Sequence, residues 1–172
     1  MEVNVYNSPL GDIWYATEGD ALAGLWFEGQ KHFPPWLERN AASDAISGPM
    51  IGPMTGASGK VARWLPRFFE GSNPSLDFSL SPQGTPFQKK VWAKFLEIPY
   101  GETVTYGELA RLLDGEAKSG LAVRAVAGAV GRNPISIIIP CHRVLGAGGR
   151  LTGYAAGLQR KAALLGIEGC SI

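Results

Sequence analysis

The segment Ile135-Ser136-Ile137-Ile138-Ile139 has to be buried, and it runs directly into Pro140-Cys141-His142-Arg143-Val144. A short run this rich in isoleucine predicts an interior strand. Proline then ends it, because it has no N–H to give to a ladder. The fold must therefore carry this segment through its centre and release a thiol and an imidazole at its far end. Cys141 is one of two cysteines in the chain and His142 one of two histidines. A thiol beside a base is how a nucleophile is built. An arbitrary free cysteine is more often inert core, so the pair alone leaves both readings open.

With 172 residues, 45% of them apolar and 18% charged, the chain can bury a core and is not disordered. No apolar run approaches the ~20 residues that cross a bilayer, and no basic-then-apolar leader opens the chain. Cys141 and Cys170 give no disulfide framework, which fits a reducing, cytoplasmic compartment and no membrane partner. The net charge of +1 hides an asymmetry. Residues 1–83 carry five Lys/Arg against nine Asp/Glu, and residues 84–172 carry eleven against six. A polyanion is expected on the second half.

In the first half, Val3–Tyr6, Ile13–Ala16 and Leu22–Phe27 predict strands, the last two joined as a hairpin over Glu18-Gly19-Asp20. Pro34-Pro35 breaks the pattern, and residues 48–59 are turn-rich enough to predict an exposed loop. Val61–Phe69 predicts a helix that Pro66 shortens or kinks, and Leu76–Leu80 a further strand. His32 stands without companions and predicts a structural role, since zinc wants three or four ligands. No metal and no cofactor are expected.

In the second half, Thr85-Pro86-Phe87-Gln88 is a capping box with proline at the first helical position. Thr105-Tyr106-Gly107-Glu108 is a second box, opening a helix with Leu109, Leu112 and Leu113 inward. After Asp114-Gly115, residues 121–130 predict another helix with Val123, Val126, Ala127 and Val130 on the core side. Ala122, Ala125 and Ala129 keep a second stripe small. Two short helices about a glycine turn make a helix-turn-helix candidate. The second helix has no Asn or Gln to pair with adenine, and Arg124 is its one long polar side chain, which suits close approach to any duplex better than operator reading. Residues 158–165 predict a closing helix with Gly166 as its stop. The fold class expected is an α/β N-terminal domain with a small antiparallel sheet (residues 1–80), then a mainly α, helix-turn-helix, winged-helix-like domain (residues 84–172).

Asn133-Pro134, the isoleucine run and Pro140-Cys141-His142-Arg143-Val144 closely resemble the active-site segment of the O6-alkylguanine-DNA alkyltransferases, and the likeness continues from Gly84 to Glu168. The resemblance implies direct, irreversible transfer of an alkyl group, mainly methyl, from O6-alkylguanine in double-stranded DNA to the protein's own cysteine. It leaves room for O4-alkylthymine as a second lesion. It makes Cys141 the acceptor, His142 its base through a water, Glu168 the group that orients the imidazole, and Asn133 the support of the turn. Tyr106 matches a tyrosine that aids nucleotide rotation and gives a proton to the departing base. Arg124 matches the finger that replaces the flipped base, with Ala122 and Ala125 beside it at the DNA. Pro140, Val144, Tyr154, Ala155, Ala156, Gly157 and Lys161 fall on the substrate pocket. At Ala156 many members have glycine, which puts bulky alkyl groups in doubt. A monomer is expected.

Two other classes compete. A helix-turn-helix regulator with an incidental Cys-His pair would need a base-reading helix. A cysteine hydrolase built on Cys141, His142 and Glu168 would need an oxyanion site, and no motif supplies one.

Overall fold

The computed structural model describes residues 1–37, 55–114 and 123–170. Three strands form an antiparallel meander: β1 (Glu2–Ser8), β2 (Gly11–Glu18) and β3 (Ala21–Phe27). Their side chains alternate between two covered faces, as the period of two demands. Ile13 and Tyr15 face one buried cluster, while Trp14, Ala16 and Trp26 pack with Phe33 and Leu37 in another. Gly24 has to be glycine, because a Cβ there would stand 1.8 Å from the Trp26 ring. The fourth strand, β4 (Ser79–Leu80), joins β3 in parallel, so the sheet is mixed and not purely antiparallel. Only the last two residues of the expected strand at 76–80 pair.

Helix α1 (Gly56–Phe69) covers the first face with Val61, Ala62, Trp64, Leu65 and Phe68. It starts five residues before the expected Val61, and its first turn buries Ala57, Ser58 and Gly59. The exposed loop expected at 48–59 is corrected to helix over Gly56–Gly59, while residues 48–54 lie outside the described residues. Small side chains, which look like loop in the sequence, let the helix sit close on the sheet. Pro66 is accommodated within the helix.

Both predicted capping boxes form. Thr85 Oγ1 accepts from Gln88 N at 3.2 Å and Gln88 Oε1 from Thr85 N at 2.9 Å, opening α2 (Pro86–Phe95). Thr105 Oγ1 accepts from Glu108 N at 3.2 Å and Glu108 Oε2 from Thr105 N at 2.7 Å, opening α3 (Tyr106–Asp114). Helix α4 (Val123–Gly131) packs on α2 and α3, with the Trp92 indole donating to Ala129 O at 2.9 Å. Leu109 and Leu113 are buried, but Leu112 points outward. On α4, Val126, Ala129 and Val130 go inward and Val123 and Ala127 do not. The helix is rotated by about one residue from the stripe expected of it, because Ala129 is small enough to take the indole against its backbone.

The isoleucine run is not a strand. Ile135 makes an isolated parallel bridge to Leu25, and residues 136–138 then turn sharply, with Ile137 at φ 70°. A β-branched residue at positive φ is a true outlier, held at a cost of ~1–3 kcal/mol. Burial reads the same for a strand and for a turn through the core, so periodicity could not separate them. Cys141–Arg143 is one 3-10 turn, followed by β6 (Val144–Leu145) parallel to β5 (Val104–Thr105). Helix α5 (Leu158–Ile167) packs against that turn. It runs past the expected stop at Gly166, and Gly169, at φ 78°, follows its cap. One buried cluster joins residues of the first half to residues of the second, from Ile13 to Leu164.

Candidate active site

Asn133 organises the turn. Its Nδ2 donates to Ile139 O at 2.7 Å, Ile135 O at 3.3 Å and Cys141 Sγ at 3.1 Å, while Oδ1 accepts from Ile135 N at 3.0 Å. One buried amide thus ties both ends of the isoleucine turn together and fixes the sulfur. Cys141 is 3% exposed. Burial pushes its thiol up to about 11, against the Asn133 hydrogen bond and the Lys161 charge, which pull it down. At neutral pH it is a thiol, so a base is needed to make it a nucleophile.

His142 is fully buried beside it. Its Nε2 lies 2.7 Å from Glu168 Oε1, and its Nδ1 has no hydrogen-bond partner among the described residues. Glu168 also accepts from Arg143 Nε at 2.8 Å, Arg143 Nη2 at 3.0 Å and Gly101 N at 3.2 Å. Burial acts to raise this carboxyl, but the hydrogen bonds and charges of His142 and Arg143 outweigh it and hold it at about 2. Burial likewise lowers His142, against the pull of Glu168. Arg143 already matches the carboxylate with two prongs, so little of that charge remains to hold a second proton on the ring. The imidazole is neutral, with Nε2–H given to Glu168 and a free lone pair on Nδ1.

The pocket lies to one side of the sulfur. A cavity of about 440 Å3 is bounded by Tyr106, by Ala127, Gly128 and Gly131 of α4, by Gly153-Tyr154-Ala155 and by Lys31-His32. Burial, and then the nearby Cys141, raise the Tyr106 phenol. The same two causes raise Tyr154, against the Ser136 hydroxyl beside it, which pulls it down. Lys161 is fully buried and gives its three N–H bonds to carbonyls: Val144 at 2.5 Å, Thr152 at 2.8 Å and Gly153 at 3.3 Å. Burial lowers it to about 8. It clamps the pocket loop onto β6.

Residues 86–170 match the family model described as the 6-O-methylguanine DNA methyltransferase, DNA binding domain. The chain is 53% identical over 172 residues to a methylated-DNA–protein-cysteine methyltransferase of Methanosarcina barkeri, covering 98% of this chain and 97% of that one. It is 43% identical to the protein of the same name from Methanosarcina acetivorans, covering 98% and 99%. The crystal structure of Mycobacterium tuberculosis OGT in complex with DNA superposes with a TM-score of 0.76 at 38% identity, over 96% of this chain and 91% of that one. The chain belongs to the methylated-DNA–protein-cysteine methyltransferases.

Of the residues expected at the site of this methyltransferase, the fold brings Asn133, Tyr106, Tyr154 and Lys161 to Cys141 and pairs the neighbouring His142 with Glu168. Ala155 lines the cavity, and its carbonyl accepts from Lys31 N at 2.8 Å. Ala156 is buried among core residues, with its carbonyl towards Arg160. Gly157, at φ 93°, supplies the left-handed step into α5 that a side chain would oppose. Val144 contributes its carbonyl to Lys161, and Pro140 borders a different hollow, beside Pro99 and Arg143. Arg124 and Ala125 are exposed on α4, and Ala122 lies outside the described residues.

Three residues of consequence were given no role of their own by the sequence. Arg143 bridges Glu168 to Ile98 O, at 2.6 Å, and lies over the Tyr100 ring at 5.7 Å. Gln30 accepts from Phe27 N and from Ser136 Oγ, joining the first half to the isoleucine turn. Arg160 donates to Leu10 O and stacks over Phe27, joining α5 to the sheet.

Proposed function

We propose that Cys141 is the cysteine to which this DNA repair methyltransferase moves the methyl group of O6-methylguanine, with His142 as its base. The observation that carries the reading is the unpartnered Nδ1 of His142, its ring fixed by Glu168, beside a buried thiol. A water between Nδ1 and Sγ takes the thiol proton to the imidazole. The thiolate attacks the methyl carbon, so that the S–C bond forms as the C–O bond breaks. The departing guanine takes a proton from the Tyr106 hydroxyl. No step regenerates the thiol, so each chain acts once.

A methylated base inside a duplex cannot reach a buried sulfur, so the nucleotide must leave the stack. The 440 Å3 cavity is within the about 300–1,000 Å3 usual for small-molecule sites and borders the outward face of α4. Gly128 on that face has open space where a Cβ would stand, and Ala125 and Ala127 are short, so the duplex can approach the helix backbone. Arg124 fills the gap that the extruded guanine leaves. One chain holds every group this reaction uses, which supports a monomer as the working unit. Residues 84–172 act as the alkyl-acceptor part and residues 1–80 as its scaffold. Among the described residues no helix is long and apolar enough to cross a membrane.

The test is intact mass after incubation with duplex DNA bearing O6-methylguanine. One added methyl, ~14 Da, is expected per chain and confined to Cys141. Cys141→Ser should bind the duplex and gain nothing. More than one methyl transferred per wild-type chain would sink the self-methylation reading.

A further inference from the structure

The acidic first half supplies two of the walls of the pocket, and both are nitrogen-bearing. Lys31 and His32 border the cavity that α4 also lines, and both are exposed, so they stand at its rim and not its floor. Arg132, also exposed, stands on the same rim from the end of α4. The strap that carries Lys31 and His32 is fixed at several points. Lys31 N donates to Ala155 O at 2.8 Å, Phe33 N to Gln30 O at 3.1 Å, and Gln30 Oε1 accepts from Ser136 Oγ at 3.1 Å, next to the strained Ile137. His32 is one of two non-glycine residues with positive φ among those described, at 64°. The other is Ile137 in the active-site turn. A side chain held in that conformation by a well-anchored strap, at the mouth of a binding cavity, is a positioned group.

We infer that Lys31 and His32 bind the phosphodiester beside the extruded nucleotide, making the first half of the chain part of the DNA interface. This rests on the flipped-base reading above. A nucleotide rotated into the cavity carries its own backbone with it, and that backbone crosses the rim between α4 and the strap. Three nitrogen-bearing side chains, with no carboxylate among the described residues that line the cavity, suit a phosphate. A base is neutral and would be met deeper, by Tyr106 and main-chain groups. The ammonium of Lys31 would neutralise one phosphate, and the imidazole N–H of His32 would donate to one of its oxygens.

Two variants separate these contributions. Lys31→Ala changes an exposed side chain, and His32→Gly places the residue best suited to φ 64° where the imidazole was. Affinity is measured in the Cys141→Ser background, on duplex with and without O6-methylguanine, across a salt series. Methyl transfer is measured in the wild-type background on the duplex and on free O6-methylguanine base. Lys31→Ala should weaken binding to the lesion duplex three- to tenfold and reduce the slope of log affinity against log salt by about 0.9. His32→Gly should weaken it severalfold with the slope unchanged. Neither should alter the reaction with free base. Unchanged affinity and slope in Lys31→Ala would overturn the inference, and so would equal losses on duplex and free base, which would place the residues against the base itself. Failure of the wild type to take up a methyl group would strike the proposed function instead, and leave the binding comparison standing.

Discussion

The buried cluster behind Cys141 and the outward face of α4 solve opposite problems. Behind the sulfur, Glu168 is 5% exposed and receives four hydrogen bonds, from His142, Gly101 and both prongs of Arg143. On α4, Arg124, Ala125, Ala127 and Gly128 are exposed. The first region is charged where water is excluded, so its groups are strongly coupled and must be complete. The second is nearly featureless where water is present, so a duplex can displace that water at little cost. Damage to the first region should therefore reach both stability and chemistry. Damage to the second should reach only the binding and opening of duplex DNA.

Glu168→Gln is the severest way to break that contrast while preserving shape. The amide nitrogen would face Arg143 or Gly101 N, and the arginine would be left as a part-buried, uncompensated cation. A loss of ~3 kcal/mol of stability is expected in denaturant melts, as for a buried pair broken from one side. The methyl-transfer rate should fall roughly 10²–10³-fold, within the range for a lost general base. A purely structural role for Glu168 would lower stability and leave the rate of the folded fraction, and its pH profile, unchanged.

Acid should dissect the same cluster without mutation. Glu168 is held at about 2, below the usual carboxylate range near 4.3, so the unfolded state takes up its proton first. Its stabilisation is fully present above pH ~4.3 and is lost as pH falls towards 2, on the order of 2–3 kcal/mol. His142 is lowered by burial, so its share begins to disappear below the ordinary histidine value of ~6.5. Cys141 acts at the other end. Its thiol is raised to about 11, so its share declines as pH rises from ~8.5 through 11, while Lys161, lowered to about 8, adds stability over nearly the same range and opposes that decline. Denaturant midpoints from pH 2 to 8 should show a plateau near neutrality and a loss on the acid side. A flat acid limb in Glu168→Gln, against a steep one in the wild type, would assign that limb to the cluster.

How much of this was legible in the sequence differs between the two regions for the same reason. Local rules give local structure, and both capping boxes, the hairpin over Gly19 and the proline-started α2 came directly from residue types a few positions apart. The Cys-His pair was legible as chemistry, and the family resemblance extended it to Glu168. The turn at Ile137 was not, because an isoleucine run reads as a strand until Asn133 is seen holding both of its ends. Arg143 passed as part of a motif, since its partners, Glu168 and Ile98, lie 25 and 45 residues away. The first half looked silent because Gln30 and Lys31 bond to residues more than a hundred positions later.

The smallest expected effect is also the most selective, and it concerns Arg124. Its side chain is exposed on α4, close to Ala125 and Ala127 on a face with no other long polar group among residues 123–131. If it enters the stack where the guanine was, it offsets part of the few kcal/mol that flipping costs. Arg124→Ala should then slow methyl transfer from duplex DNA roughly tenfold at saturating protein, and leave transfer from free O6-methylguanine base unchanged. Stability should shift by less than about 0.5 kcal/mol, as for other exposed sites. An arginine that merely pairs with a phosphate would behave differently. It would weaken binding to every duplex, reduce the salt slope by about one, and leave the saturated rate alone. Single-turnover rates on the two substrates, with a salt titration of binding, separate these cases. Equal slowing on duplex and free base would move Arg124 from the exposed face to the buried cluster in function, and the contrast between the two regions would fail at that residue.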